Sequence, residues 1–431
     1  MRKGRRLPVP KKASRINTIV NKFNFGGLLK NRKFVIIVSF IGLFLVSVGL
    51  SLLVFYLVNP KGASGLLSKV NQKTKLNLNL PKTEECPING EMYTKVESDA
   101  WSTKRPISMM IENHADARPE SGLSRADVVY EAVAEGGITR FNAIFYCAAQ
   151  AEDVLAAPLR SARVYFINLA AGYGTDPIFL HQGEANNICS DCPGGVKPSS
   201  QINPLVNALT LFDKLNWQGG TSGNNLDGGY NIGFPIVERN QYRLSSTPAA
   251  WEHSVVADLD LVWAEAAKRG FNYNDSSGTP WTKGFTKWLF QDGKANSSPV
   301  ASDIKFNFWD SMPGYDVEWK YDSTTNSYMR YNAGQPFIDW EFDKPQIAAK
   351  NVVVMFAKET GPLDSEHHMY YQDVGTGNAL VFQNGQVITG TWKKATPLDR
   401  DIYYDTTGKE ISMVRGQTWV EVLPAGNKVS Y

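Results

Sequence analysis

The chain has 431 residues, with 45 Lys/Arg against 42 Asp/Glu and a formal net charge of +3. Eleven Trp and 18 Tyr supply ample apolar surface for packed cores, which excludes a disordered chain. Residues 1–83 hold 16 of the Lys/Arg and no acid, leaving 29 Lys/Arg against 42 Asp/Glu beyond them; the basic charge is therefore a tail rather than a folded surface for nucleic acid, and no nucleic-acid partner is expected.

The tail, residues 1–33, runs into Phe34 to Val58, 25 residues without a charge. At about 1.5 Å per residue a helix of that length reaches roughly 37 Å, enough to cross a hydrocarbon core of about 30 Å. Eleven Lys/Arg precede the span and five occur in the next 25 residues, so the positive-inside rule places the N-terminus in the cytoplasm and the rest outside. A cleaved signal peptide would carry a shorter apolar region. Residues 59–95 are polar and Lys/Asn-rich, as in an extracytoplasmic stalk.

Beyond the stalk the pattern predicts an α+β protein with an N-terminal mixed α/β domain (96–290) and a C-terminal mostly-β domain (300–431), preceded by the one transmembrane helix. PISMMIEN alternates as a strand. SRADVVYEAVAE reads as a helix, with Ser124 and Asp127 as a capping box and Gly136–Gly137 as its stop. ITRFNAIFYC is the next strand. SARVYFINLAAG is a helix capped by Ser161, DPIFLHQG a short apolar strand, and DLVWAEAAKRG a further helix. In the second half VEWKYD and SYMRYN form a hairpin around STTN, NVVVMFAKE is a buried strand, and Asn384-Gly385 between apolar runs is a hairpin turn. IYYD and QTWVEVLP continue the meander.

RPISMMIENHADARPESGLSRADVVYEAVAEGGITRF, LRSARVYF and FLHQGEA in the first half, with VEWKYDSTTNSYMRY, GTGNALVFQNGQVITGTWKK and GQTWVEVLP in the second, resemble the YerB-like bacterial envelope family. The resemblance runs from Arg105 to Pro424 in matching order. It implies two domains on the outer face of a bacterial membrane and carries no established catalytic residues. The family's acylated cysteine is absent here, and residues 34–58 would take over anchoring.

Arg160 and Arg163, with Ser161 capping a helix and Arg140 at the start of a strand, are the best candidates for an anion site. The same arginines could instead pair with Glu131 and Glu135 in a structural ion network, and both readings stand. Glu112, Asn113 and His181 lie at strand ends, where ligand crevices form; Glu112 and His181 are the candidate catalytic pair and Asn113 a candidate ligand contact. His114 is a second imidazole beside Glu112. Cys86, Cys147, Cys189 and Cys192 form an even set outside the cytoplasm, which points to disulfides in any of three connectivities and no free thiol. A redox or zinc role for Cys189 and Cys192 would need a helix start or two further ligands. His367 and His368 are adjacent and would face opposite ways on a strand. No phosphate loop, nucleophile elbow or dinucleotide fingerprint appears. The sequence thus implies no cofactor and no metal. It suits a membrane-anchored envelope protein that binds peptidoglycan or wall-synthesis proteins; the alternative is an envelope hydrolase built on Glu112 and His181.

Overall fold

The computed structural model describes residues 36, 39–48, 51, 76, 79–185, 203–217, 220–364 and 366–431. The chain divides into two units, 1–72 and 73–431. In the first, residues 39–48 are helical and fall within the apolar run. Among the described residues no helix is long and apolar enough to cross a membrane, and most of the expected span and stalk, with Cys189 and Cys192, lies outside them.

In the second unit regular structure is already present within residues 82–95, which the sequence assigned to the stalk. β1 (Lys82–Glu85) and β2 (Met92–Thr94) form a hairpin. α1 (Lys95–Trp101) follows, started by a reciprocal Thr94–Glu97 capping box. A Cys86–Cys147 disulfide ties this N-terminal piece to the end of β5. Next come β3 (Ile107–Glu112), β4 (Val128–Glu135), β5 (Ile138–Phe145), α2 (Val164–Ala171), β6 (Ile178–His181), α3 (Ala208–Lys214), β7 (Asn225–Asp227) and α4 (Leu259–Lys268). The second half supplies β8 (Asp303–Phe306), β9 (Val317–Asp322), β10 (Ser327–Asn332), β11 (Asn351–Thr360), β12 (Tyr370–Gln372), β13 (Gly375–Gln383), β14 (Gln386–Lys394), β15 (Ile402–Asp405) and β16 (Thr418–Pro424).

Eleven strands form one sheet in the order β15-β14-β13-β11-β16-β4-β5-β3-β6-β7, with β12 added to the end of β11. The halves expected as separate domains are joined in it: β16, from the end of the chain, lies parallel to both β4 and β11. A smaller sheet, β8-β9-β10 with two short strands, packs its inner face on the same core.

The helix expected over 124–135 is corrected to strand β4. Apolar Val128, Val129, Ala132 and Val133 fit a helical stripe, but every residue of β4 up to Ala134 is buried, because the strand is covered on both faces and neither face shows a polar alternation. Gly136 and Gly137, at φ 56° and 83°, close the β4–β5 hairpin instead of ending a helix. Asp127 caps nothing; its carboxylate accepts the backbone N–H groups of Tyr146 (2.7 Å), Cys147 (2.9 Å) and Ala148 (3.2 Å) beside the disulfide. The strands at 107–112, 138–145 and 178–181, the helix at 259–268 and the C-terminal hairpins fall where the sequence placed them.

The centre of the unit is ionic. Glu131 on β4 and Glu421 on β16 are register partners, and both bond Arg330 of β10, at 2.6 and 2.7 Å. All three side chains are fully buried. Trp419, Phe337 and Trp319 surround the guanidinium at 4.7–5.3 Å from their ring centres. Burial and the adjacent Glu131 hold the Glu421 carboxyl well above its ordinary range against the pull of Arg330. A single proton shared by the two acids would leave one negative charge against Arg330, and the raised Glu421 carboxyl favours holding it.

Replacing Arg330 with Met will cost about 3–5 kcal/mol in urea denaturation, because it strands a buried carboxylate. With the shared proton on Glu421, Glu421→Gln replaces an uncharged group and will cost about 1 kcal/mol or less; equal losses in the two variants would refute that placement of the proton. Reducing the Cys86–Cys147 bond, which closes a loop of 61 residues, will lower stability by about 4 kcal/mol on loop entropy, read as a shift in the urea midpoint with reductant.

Candidate functional site

The sequence-derived residues separate into four places. Asn113 belongs to the interior: its amide donates to Glu131 (3.1 Å) and Thr139 (2.7 Å), and its Oδ1 accepts from Arg118 Nε at 2.8 Å. It extends the Arg330 network and faces no cleft.

The second place is an ion network at the end of β4. Glu135 accepts Arg140 on one oxygen (2.8 Å) and Arg163 on the other (2.5 Å). Arg140 also donates to the Ser161 carbonyl, and Arg163 to that of Ala162. α2 begins after Arg163 with no side-chain cap, so Ser161 does not cap it. Of the two sequence readings for Arg140 and Arg163, the geometry matches the structural network, with Glu135 as the shared acid. Glu131 pairs elsewhere, with Arg330. Burial pushes the Glu135 carboxyl up, but Arg140 and Arg163 overcome it and hold the group well below the usual carboxylate range. His368 stands close by; burial and the Arg163 charge lower its pKa, and its Nδ1 lies 2.7 Å from Asp364.

The third place holds Glu112 and Arg160, brought together with a residue the sequence reading missed, His253. Glu112 ends β3 with its side chain 4% exposed; Oε1 accepts Arg160 Nε at 3.0 Å and Oε2 meets His253 Nδ1 at 2.8 Å. Arg160 keeps more than a quarter of its side chain in solvent while its Nε is held by the buried Glu112 carboxylate. The His114 ring stacks on His253, centroids 4.8 Å apart and planes within 14°. Two residues before His253, exposed Trp251 covers Arg239, 4.3 Å from the ring centre. His253 precedes strand Val255–Asp258, and the backbone of Leu159 bonds Val255 while Arg160 bonds Met110, which carries both segments to the end of β3. The signal available in the sequence was the Trp-Glu-His run just before that strand.

His181 does not join Glu112. Its Nδ1 lies 2.7 Å from the Gly183 carbonyl and its Nε2 2.5 Å from Asn225 Oδ1, and the ring packs between Phe179 and Phe212. Both nitrogens are committed to holding a loop. Among the described residues three clusters bring ligand-type atoms close enough for an ion, and their chemistry argues against each. Cys86 and Cys147 are joined to each other. His114 and His253 are stacked, so their in-plane lone pairs do not converge on one point. In the third, His181 is committed as above and Asp227 Oδ1 accepts the N–H groups of Gly183 and Gly229.

Chemically, the Glu112 cluster offers a partly exposed guanidinium and an imidazole whose Nδ1 is engaged by a carboxylate. That bond leaves Nε2 as the nitrogen able to accept a proton or a hydrogen bond.

Comparison with known proteins places these features in a family. Residues 93–203 match the family model described as the DUF3048 N-terminal domain of a protein of unknown function, and residues 304–420 match its C-terminal counterpart. The chain is 28% identical over 329 residues to the Bacillus subtilis (strain 168) protein described as "Putative lipoprotein YerB", covering 74% of this chain and 82% of that one. The crystal structure of YerB protein from Bacillus subtilis superposes with a TM-score of 0.60 at 24% identity, covering 81% of this chain and all of that one, a likeness of fold.

The Glu135 network carries a pH signature. A carboxylate depressed in the folded state stabilises fully above its unfolded pKa of about 4.3, and that contribution is lost as the pH falls below it. Arg163→Gln will therefore be much less stable than wild type at pH 7, and the gap will narrow at pH 3 in urea titrations. A gap of the same size at both pH values would contradict the network.

Proposed function

Because the chain belongs to the YerB-like family built from the two DUF3048 domains, we propose that it is a binding protein of the bacterial cell envelope. Residues 34–58 hold it in the membrane with the basic tail in the cytoplasm, and the body docks on peptidoglycan or on wall-synthesis proteins. The relative's description as a lipoprotein supports the outer face of the membrane. The observation that carries the binding role is Arg160, anchored through Nε on buried Glu112 while more than a quarter of its side chain stays in solvent. A fork preset in this way loses little entropy on meeting a carboxylate or phosphate, and both occur in wall polymers and lipid-linked precursors. The Glu112–His253 bond favours one second reading, a hydrolase in which Glu112 orients His253 as general base toward a water.

The test is sedimentation of the detergent-solubilised full chain with purified sacculi and, separately, with membrane extract freed of sacculi. Wild type will be retained by one of these fractions, and Arg160→Gln will weaken retention about tenfold or more, matching loss of a charge-assisted contact of about 1.5–3 kcal/mol. Retention by neither fraction, or equal retention of the variant, would sink the binding reading at this site. Soluble fragments released from sacculi by wild type and not by His253→Gln would support the hydrolase instead.

A further inference from the structure

A cleft of about 1010 Å³ opens at the carboxyl ends of the parallel strands β11 and β16, far in sequence from Glu112. Such ends are where chains diverge into loops and leave crevices for ligands. Glu359 from the end of β11, Asn307, Trp309 and Asp310 after β8, and the Gly426–Lys428 tail line it. A second depression of about 460 Å³ shares Gly426 and Asn427 with the first and continues over Lys358, Gln372 and Asn378. The two depressions meet at Gly426 and Asn427 as one trough, whose larger part already reaches the upper end of the about 300–1,000 Å³ of a small-molecule pocket.

The trough is preformed. Asn427 donates to the carbonyls of Asn307 and Phe308, both at 2.9 Å, which fixes the tail against the loop after β8. Trp309 is oriented by Glu359, with Nε1 3.2 and 3.1 Å from its two oxygens, and Glu359 is itself held by the Tyr371 hydroxyl at 2.5 Å. Half-buried Phe356 lines the neighbouring depression. Trp309 and Phe356 thus give each part an apolar ring, and exposed amides at Gln372 and Asn378 lie between polar backbone and charged groups.

Charge and backbone narrow the occupant. Lys305, Lys358 and Lys428 are interspersed with Asp310, Asp316, Glu318 and Glu359, so the two signs are mixed with one acid in excess, and the lining is not a one-sign field that would hold a polyanion or polycation. Lys305 and Glu318 already pair at 2.9 Å. An extended peptide would need a free strand edge, but β8 is paired with the C-terminal tail, Lys305 and Ser430 exchanging backbone bonds at 2.8 and 3.0 Å. A fixed aromatic ring, planar amides and carboxylates are the groups that meet the C–H faces, acetamido groups and hydroxyls of a sugar chain.

We propose that this trough binds an uncharged, extended saccharide chain bearing acetamido groups. The inference goes beyond the envelope reading by naming a second site and its ligand class. Its test is isothermal titration of the detergent-solubilised full chain with the tetramer of β-1,4-linked N-acetylglucosamine, with the corresponding glucose tetramer in parallel. Saturable binding of the acetylated tetramer and weaker binding of the glucose tetramer are expected. Asn378→Ala, at an exposed position, and Trp309→Phe, which keeps a ring but loses the bond to Glu359, will each weaken binding about five- to tenfold. The melting temperature of Asn378→Ala will be unchanged. No saturable binding in the millimolar range, equal affinity for both tetramers, or unchanged affinity in both variants would overturn the proposal. The titration uses neither sacculi nor an Arg160 variant, so this inference and the proposed function fail separately.

Discussion

Placing two acids and an arginine in a dry interior is the constraint from which the rest of the unit follows. Glu131 and Glu421 sit side by side on parallel strands, where two ionised carboxylates would repel strongly. Arg330 reaches them from the smaller sheet and makes the arrangement tolerable. The triad also sets register: a slip of one residue would turn Glu421 to the opposite face and leave both Arg330 and Glu131 short of a partner. One cation thereby locks together the first half of the chain, its last strand and the smaller sheet.

The same network reaches the candidate site. The second oxygen of Glu131 accepts Asn113 and Thr139, and Asn113 receives Arg118. Asn113 directly follows Glu112, so the carboxylate that anchors Arg160 and His253 is placed by a residue bound into the core. A site on a strand end tied to a buried network is stiffer than one on a free loop, and stiffness is what a preset guanidinium fork needs.

A second buried arginine and a buried lysine near it show how differently the two cations fare in this interior. Arg400 lies 3.8 Å from the Trp288 ring centre and 4.2 Å from that of Tyr173, and among the described residues none of its side-chain nitrogens has a hydrogen-bond partner. Burial opposes its charge, but Tyr173, Tyr130 and Asp401 raise its pKa above the ordinary value. Lys394 nearby goes the other way: burial brings it down to about 8 despite Asp373, Asp401 and Asp399. A delocalised, weakly hydrated cation can trade water for ring faces; a compact ammonium cannot.

Local chemistry made part of this legible in advance. The Asn384-Gly385 turn needs two positive φ values, adopted here at 54° and 68°, and that demand is written in two residues. The charge asymmetry around residues 34–58 and the alternation of β9 and β10 are equally local. β4 was misread because a strand covered on both faces loses its period, and its Val-Val and Gly-Gly pairs fit a helix as well as a hairpin. Within SYMRYN the alternation does put Arg330 on the inward phase with Tyr328 and Asn332, a hint that a buried cation would need acids. The residues alone established most strand and turn positions outside β4, the basic tail with its apolar run, and the family. Which acid meets which base was decided by tertiary structure: Arg330 finds Glu131 across 199 residues, and Glu112 finds His253 across 141. Charges have no periodicity that records a partner. Only packing, by removing water, makes one pairing cheaper than the others.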